Sequence, residues 1–234
     1  MIFTTYWFCL FALGFFPLYW AARPAWLRFA LLLGLCLVFH AHFAGAAGVA
    51  PIIVLALLAY SAGLSGRKWA LYGAMAAAVL ALVVYKYSHF IALDVIGALN
   101  PSLGKTLDGF ARRWLPITPP LAVSFFTFEF VHYLYDVRKG SPPLRNPAHF
   151  GAFTFFFPSL VAGPIKRYQP FIATLQEGLA RVSVDDVKLG LVRVAIGLIK
   201  KIVIADNLTA AIAFWQPHFA ELPFTARWAL VGAM

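Results

Sequence analysis

Charge is what this sequence has least of. Only 12% of its 234 residues are Asp, Glu, Lys or Arg, against about 25% in an ordinary soluble domain. Acids are scarcest, 9 against 19 Lys and Arg. A soluble chain must cover its surface with polar groups, and one that is 62% hydrophobic cannot do so. Cysteine is scarce too. Cys9 and Cys36 each lie inside an apolar run, with no CxxC or other zinc spacing. They read as small hydrophobes and say nothing about redox compartment. There is no P-loop, no GxSxG and no HExxH, which removes those phosphate-binding, hydrolase and zinc-protease signatures. Met1 to Ala22 contains no Lys or Arg, so it lacks the basic start of a signal peptide. No internal repeat or low-complexity segment is present.

What remains is long apolar runs. A helix needs about 20 apolar residues to cross the hydrocarbon core. Residues 3–22, 26–44, 47–64, 69–93 and 115–136 meet that need, with further apolar segments at 148–164 and 187–215. The fold class is therefore all-α, a polytopic transmembrane helical protein whose partner is the lipid bilayer. The excess of cations gives a net charge of +10. Cytoplasmic loops of membrane proteins are enriched in Lys and Arg, so this charge does not call for nucleic acid. With Arg67-Lys68 and Arg138-Lys139 as inner turns, the N-terminus lies outside. Lys105, Arg112 and Arg113 break that alternation, and the stretch 94–115 reads as short interfacial helices. Trp and Tyr cluster near span ends (Tyr6, Trp7, Trp20, Trp26, Trp69), as an interfacial belt would. Ser183, followed by Asp185 and Asp186, marks a helix start. At the other end, the apolar run Trp228–Met234 is too short to span, as though the sequence were cut within a helix.

Ionisable groups at membrane depth cost roughly 2.5–3.5 kcal/mol each on insertion scales and point to function. In SFFTFEFVHYLYDVRKG, which starts at Ser124, the residues Glu129, His132 and Asp136 fall at i, i+3 and i+7 and share a helix face. Glu-x-x-His is half of a di-iron signature, but no other helix supplies the remaining carboxylates. The bland reading is a hydrogen bond from Glu129 to His132 or a neighbouring helix, with Asp136 pairing to Arg138 or Lys139. The other is a polar cavity lining. His40 and His42, two apart, face different ways on a helix and read as interfacial. In FPSLVAGPIKRYQPF, from Phe157, the prolines remove backbone donors and Gly163-Pro164 breaks the helix. Lys166 and Arg167 then either meet lipid phosphates or border an aqueous hollow for an anion, since irregular backbone is tolerated at depth only inside protein or beside water. In GLVRVAIGLIKKIVIAD, Arg193 and Lys200 share a face seven residues apart, on either a partly polar span or an interfacial helix.

These stretches resemble the membrane-bound O-acyltransferase family, in the bacterial branch that holds the alginate O-acetyltransferase membrane subunit and the D-alanyl transfer protein of teichoic acids. The matching residues are LP at 115–116, SFFTF at 124–128, YLYDVRKG at 133–140, FFPSLVAGPIKRYQPF at 156–171 and GLIKKIVIADNL at 197–208, with MIFTTYWF at the start and YKY at 85–87. The resemblance implies re-entrant or broken helices around a central funnel, in one integral-membrane domain of which residues 1–234 are the N-terminal part. It implies acyl transfer, acetyl by branch, from a cytosolic thioester (acetyl-CoA or a carrier-bound acyl group) to an extracellular polysaccharide such as alginate. The thioester is a substrate; no tightly bound cofactor or metal is implied. It further implies a multi-pass protein of the bacterial inner membrane, with a periplasmic acyl-acceptor or acetyltransferase partner.

The family's catalytic histidine stands in a Trp-His-Gly context. None of the 6 histidines here has that context, so no residue of this chain is assigned as catalytic, and the chain alone is expected to be inactive. Carry-over gives funnel or donor-binding candidates: Ser124, Glu129, His132, Asp136, Gly163, Pro164, Lys166, Arg167, Tyr168, Lys200, Lys201 and Asp206. Two other classes stay open. A transporter or polysaccharide-export scaffold should show paired halves with matching broken helices, and no such pairing is evident. The other class is an inactive truncated acyltransferase.

Overall fold

The computed structural model describes residues 2–116, 119–160, 163–181 and 183–215, with Pro223, Thr225 and Ala226. Trp228–Met234 lies outside them, as do Val161 and Ala162 of the glycine–proline stretch. Every regular element among the described residues is helical, and they fall into two compact units divided after Ala180.

The first unit opens with α1, Tyr6–Ala21. Next come α2, Ala25–Gly45, and α3, Ala47–Ser65, joined across a kink. The kink is at Gly45, the last residue of α2, at φ 65° and ψ 170°, a conformation open to glycine and strained for others. The break expected between the runs 26–44 and 47–64 is thus a kink at a single glycine. Gly66, at φ 61°, caps α3.

Helix α4, Lys68–Leu99, runs past the expected end at residue 93. Two wide π-turns, Val83–Tyr87 and Ile91–Ile96, interrupt it. α2, α3 and α4 are each long and apolar enough to cross a membrane, and this is a membrane protein. Their exposed Val38, Val54, Leu57, Leu80 and Phe90 suit lipid.

The stretch expected to hold interfacial helices carries α5, Pro101–Trp114. Asn100 caps it by accepting from Ser102 N and Leu103 N. Gly104, Asp108 and Ala111 form its buried face. Leu103, Leu107, Phe110 and Trp114 form an exposed apolar stripe.

Next comes α6, Val123–Arg138. The span expected from residue 115 starts eight residues later, because Pro116, Pro119 and Pro120 lack the N–H that helix turns need. The apolar segment at 148–164 is no single helix. It is α7, Pro147–Phe155, capped by Asn146, then α8, Phe157–Leu160. Phe156 breaks between them at ψ 97°. Helix α9, Tyr168–Ala180, closes the unit.

Aromatic rings fill its interior. Phe157 stands 5.2 Å from Phe39 and 5.4 Å from Phe11, edge-on in the second case. Phe150 packs at 5.1 Å on Tyr60 and 5.2 Å on Tyr133. Between helices in lipid, such close packing, rather than escape from water, drives association. Thr127 adds a bond from α6 to α4, its hydroxyl donating to the Ala78 carbonyl at 3.2 Å.

The second unit contains α10, Val184–Ile199, a wide turn over Lys200–Ala205, and α11, Asp206–Trp215. Ser183 starts it as the sequence indicates. Its hydroxyl accepts from Asp186 N at 3.1 Å, and the Asp186 carboxylate accepts from Ser183 N at 3.1 Å. The Ser183 hydroxyl also donates to that carboxylate at 2.7 Å, and this bond first, then the backbone one, holds the Asp186 carboxyl below its usual range.

Candidate functional site

Helix α6 carries one side of the site. An α-helix advances about 100° per residue, so Glu129, Tyr133 and Asp136 fall within a narrow band. Each meets one residue of the corner that follows α8. Glu129 Oε1 accepts from Lys166 Nζ at 2.5 Å. The Tyr133 ring meets Tyr168 edge-on at 5.1 Å. Asp136 Oδ2 accepts from Gln169 Nε2 at 3.4 Å. His132 points away from this band and is exposed. Glu129 therefore does not bond to His132, and the face read as Glu129, His132 and Asp136 is in fact Glu129, Tyr133 and Asp136. Among the described ion pairs, none joins Asp136 to Arg138 or Lys139.

The Glu129–Lys166 pair is deep, with side chains 3% and 10% exposed. The ammonium lies 5.1 Å from the Phe153 ring centroid and 5.7 Å from that of Phe171. Desolvating two charges is costly. Their mutual attraction and the two ring faces offset it. Lys166 thus faces neither lipid phosphates nor an open mouth.

Gly163 makes the corner possible. A Cβ there would fall 2.5 Å from Ser159 Cα and 3.0 Å from Ser159 O, atoms no rotamer change can move. Pro164 follows, exposed. Arg167 is exposed as well, and its carbonyl opens α9 by accepting from Phe171 N at 3.2 Å. Tyr168 is buried, its hydroxyl donating to the Pro142 carbonyl at 2.7 Å. The two neighbouring cations are thus separated, Lys166 neutralised inside and Arg167 left outside. Two hollows of about 360 and 240 Å³ lie away from this corner, one lined by Ser61, Trp69 and Gly73, the other by Val84, Ile91 and Leu107.

Of the remaining candidates, Ser124 belongs to the first unit, and Lys200, Lys201 and Asp206 to the second. Ser124 Oγ accepts from Lys86 Nζ at 3.4 Å. In the second unit, Lys201 pairs with Asp206, and Lys200 begins the wide turn. Among the described residues, no three His, Cys, Asp or Glu side chains converge as a metal set.

Sequence reasoning missed two sites. His40 is enclosed by protein: it is 1% exposed, between Phe126 and Phe155, each 5.3 Å away. Neither of its ring nitrogens has a partner among the described residues. Asp108 accepts from His89 Nδ1 at 2.5 Å and from Arg112 Nε at 2.7 Å, tying α5 to α4. These bonds, His89's first, hold its carboxyl below the usual carboxylate range. The i,i+4 spacing of Asp108 and Arg112 is a readable signal. The reach to His89 is not.

No family model matches the chain, and no solved structure matches it. Curated relatives do. The chain is 32% identical over 143 residues to "Probable alginate O-acetylase AlgI" of Pseudomonas putida, covering 61% of this chain and 28% of that protein. It is 30% identical over 188 residues to the peptidoglycan O-acetyltransferase of Helicobacter pylori, covering 69% of this chain and 34% of that one. With the teichoic acid D-alanyltransferase of Bacillus subtilis it shares 28% over 118 residues, 47% of this chain and 30% of the relative. Matched stretches thus span between 23% and 34% of the relatives' own lengths.

Proposed function

Because this chain belongs to the membrane-bound O-acyltransferase family, we propose that it takes part in moving an acyl group, acetyl by its relatives' names, from a cytosolic thioester to hydroxyls of an extracellular polysaccharide such as alginate. The bacterial inner membrane is its site, crossed several times. The donor is acetyl-CoA or a carrier-bound acyl group, used as substrate with no tightly bound cofactor. A periplasmic acetyltransferase is the partner that completes delivery to the polymer. A general-base histidine acting on the acceptor hydroxyl would complete the chemistry.

One observation carries the reading for this chain: exposed Arg167 at the N-terminus of α9, directly after the glycine–proline corner. Coenzyme A and phosphopantetheine carry phosphates. A guanidinium binds phosphate through paired donors, and a helix N-terminus adds positive potential and free N–H groups. Lys166 is spoken for by Glu129, so Arg167 is the corner's cation for the donor.

The experiment is complementation. A strain lacking the gene should lose O-acetyl groups from its surface polymer and regain them with the intact gene. Arg167→Ala in that gene should raise KM for the donor by about tenfold or more, as the loss of a phosphate contact does. Unaltered polymer acetylation in the deletion strain would overturn the function. Unaltered donor KM and turnover in the variant would remove Arg167 from it.

A further inference from the structure

We propose that the Glu129–Lys166 ion pair is a positioning device, pinning the glycine–proline corner to α6 and so fixing where Arg167 presents its guanidinium. The proposal builds on the reading of Arg167 as the donor-facing cation. Neither Glu129 nor Lys166 contacts the donor.

Three observations carry it. First, the corner meets α6 at three heights, Glu129 with Lys166, Tyr133 with Tyr168 and Asp136 with Gln169, and only the first is a closed-off charge pair. Second, the corner has no slack. Gly163 already lies so close to Ser159 that a single added carbon would collide with main chain. Third, Lys166, Arg167 and the first turn of α9 follow one another without a spacer. A displacement of Lys166 therefore carries Arg167 and the helix N-terminus with it.

Stability gives no reason for charges here, because a well-packed apolar pair serves a buried site as well or better. What an ion pair adds is a single partner at a single distance. Phe153 and Phe171 hold the ammonium on two faces, and Glu129 supplies the remaining fixed point. Glu129 Oε2 has no partner among the described residues, so the carboxylate is committed to Lys166 through its other oxygen.

The test uses the full chain in membranes, carrying Cys9→Ser and Arg167→Cys. Cys36 is 0% exposed and stays silent. Modification of the thiol at 167 by a charged maleimide is timed with the native pair, with Glu129→Leu/Lys166→Met, and with Glu129→Asp, which keeps the charges but draws the anchor back by one methylene. The double substitution strands no charge and should keep its folded yield. A positioning role predicts a rate changed by about tenfold in both backgrounds, and, with the same substitutions placed in the intact gene and Arg167 retained, donor KM raised by about as much while kcat holds. Should the double variant fail to fold, Glu129→Asp decides alone. Labelling rate and KM equal to those of the native pair would overturn the proposal and leave the pair a packing element. If labelling changes while Arg167→Ala leaves donor use intact, positioning stands and the donor reading falls.

Discussion

The ring of Tyr133 occupies the space beside Gly63 that a side chain there would need. A Cβ on Gly63 would lie 2.5 Å from the phenolic oxygen and 2.8 Å from Cε1. Tyr133 is 1% exposed and cannot swing aside. Gly63→Ala gains about 1 kcal/mol of helix propensity, but overpacking a closed site costs about 1–3 kcal/mol. The clash wins because its neighbour is locked. Thermal unfolding of the purified protein should show a net loss, partly recovered by adding Tyr133→Phe.

Gly163→Ala should be far harsher, since Ser159 main chain must move. A methyl on Gly178, in α9, would meet no atom within 4 Å. Gly178→Ala should therefore raise helix stability by up to about 1 kcal/mol. Folded yield of the two variants, measured side by side, checks the contrast.

Asp108 gives a pH dependence. Its carboxyl is held below its ordinary value by His89 and then Arg112. A depressed folded pKa stabilises above the unfolded value, about 3.9, and that stabilisation fades as pH falls through the folded value. Asp108→Asn should thus unfold at lower temperature than the native chain at pH 7. Below about pH 4 the two curves should converge, as linkage requires. A constant gap down to about pH 3 would refute the assignment.

Thr127→Val should cost little. Interhelical hydrogen bonds in membranes average about 0.6 kcal/mol, and the Ala78 carbonyl that Thr127 reaches lies inside a helix. A loss above about 2 kcal/mol in reversible unfolding would exceed the range known for such bonds.

Composition makes the membrane class legible, because charge so sparse leaves no other solvent for so many apolar side chains. Ser183 is legible as a cap from its own chemistry. The start of α6 is not, since hydropathy averages over Pro116, Pro119 and Pro120 as though they were ordinary apolar residues. Glu129 stands out as an ion at depth, yet its partner lies 37 residues on, beyond any local periodicity. His40 misleads for the same reason: its burial depends on Phe126 and Phe155, which sequence cannot place beside it. The corner is visible as a Gly-Pro break. That its two cations part company is not.

The wide turns in α4 have a consequence for how this chain tolerates length changes. Val83–Tyr87 and Ile91–Ile96 each hold more residues per turn than the regular helix around them. Removing one residue from either would let that turn tighten into ordinary helix, and the faces beyond it would keep their direction, because the wide turn holds about one extra residue within a single turn. The same deletion in regular helix would swivel everything beyond it by about 100°. These two swollen turns are where a lineage could drop a residue without re-pointing the rest of the helix.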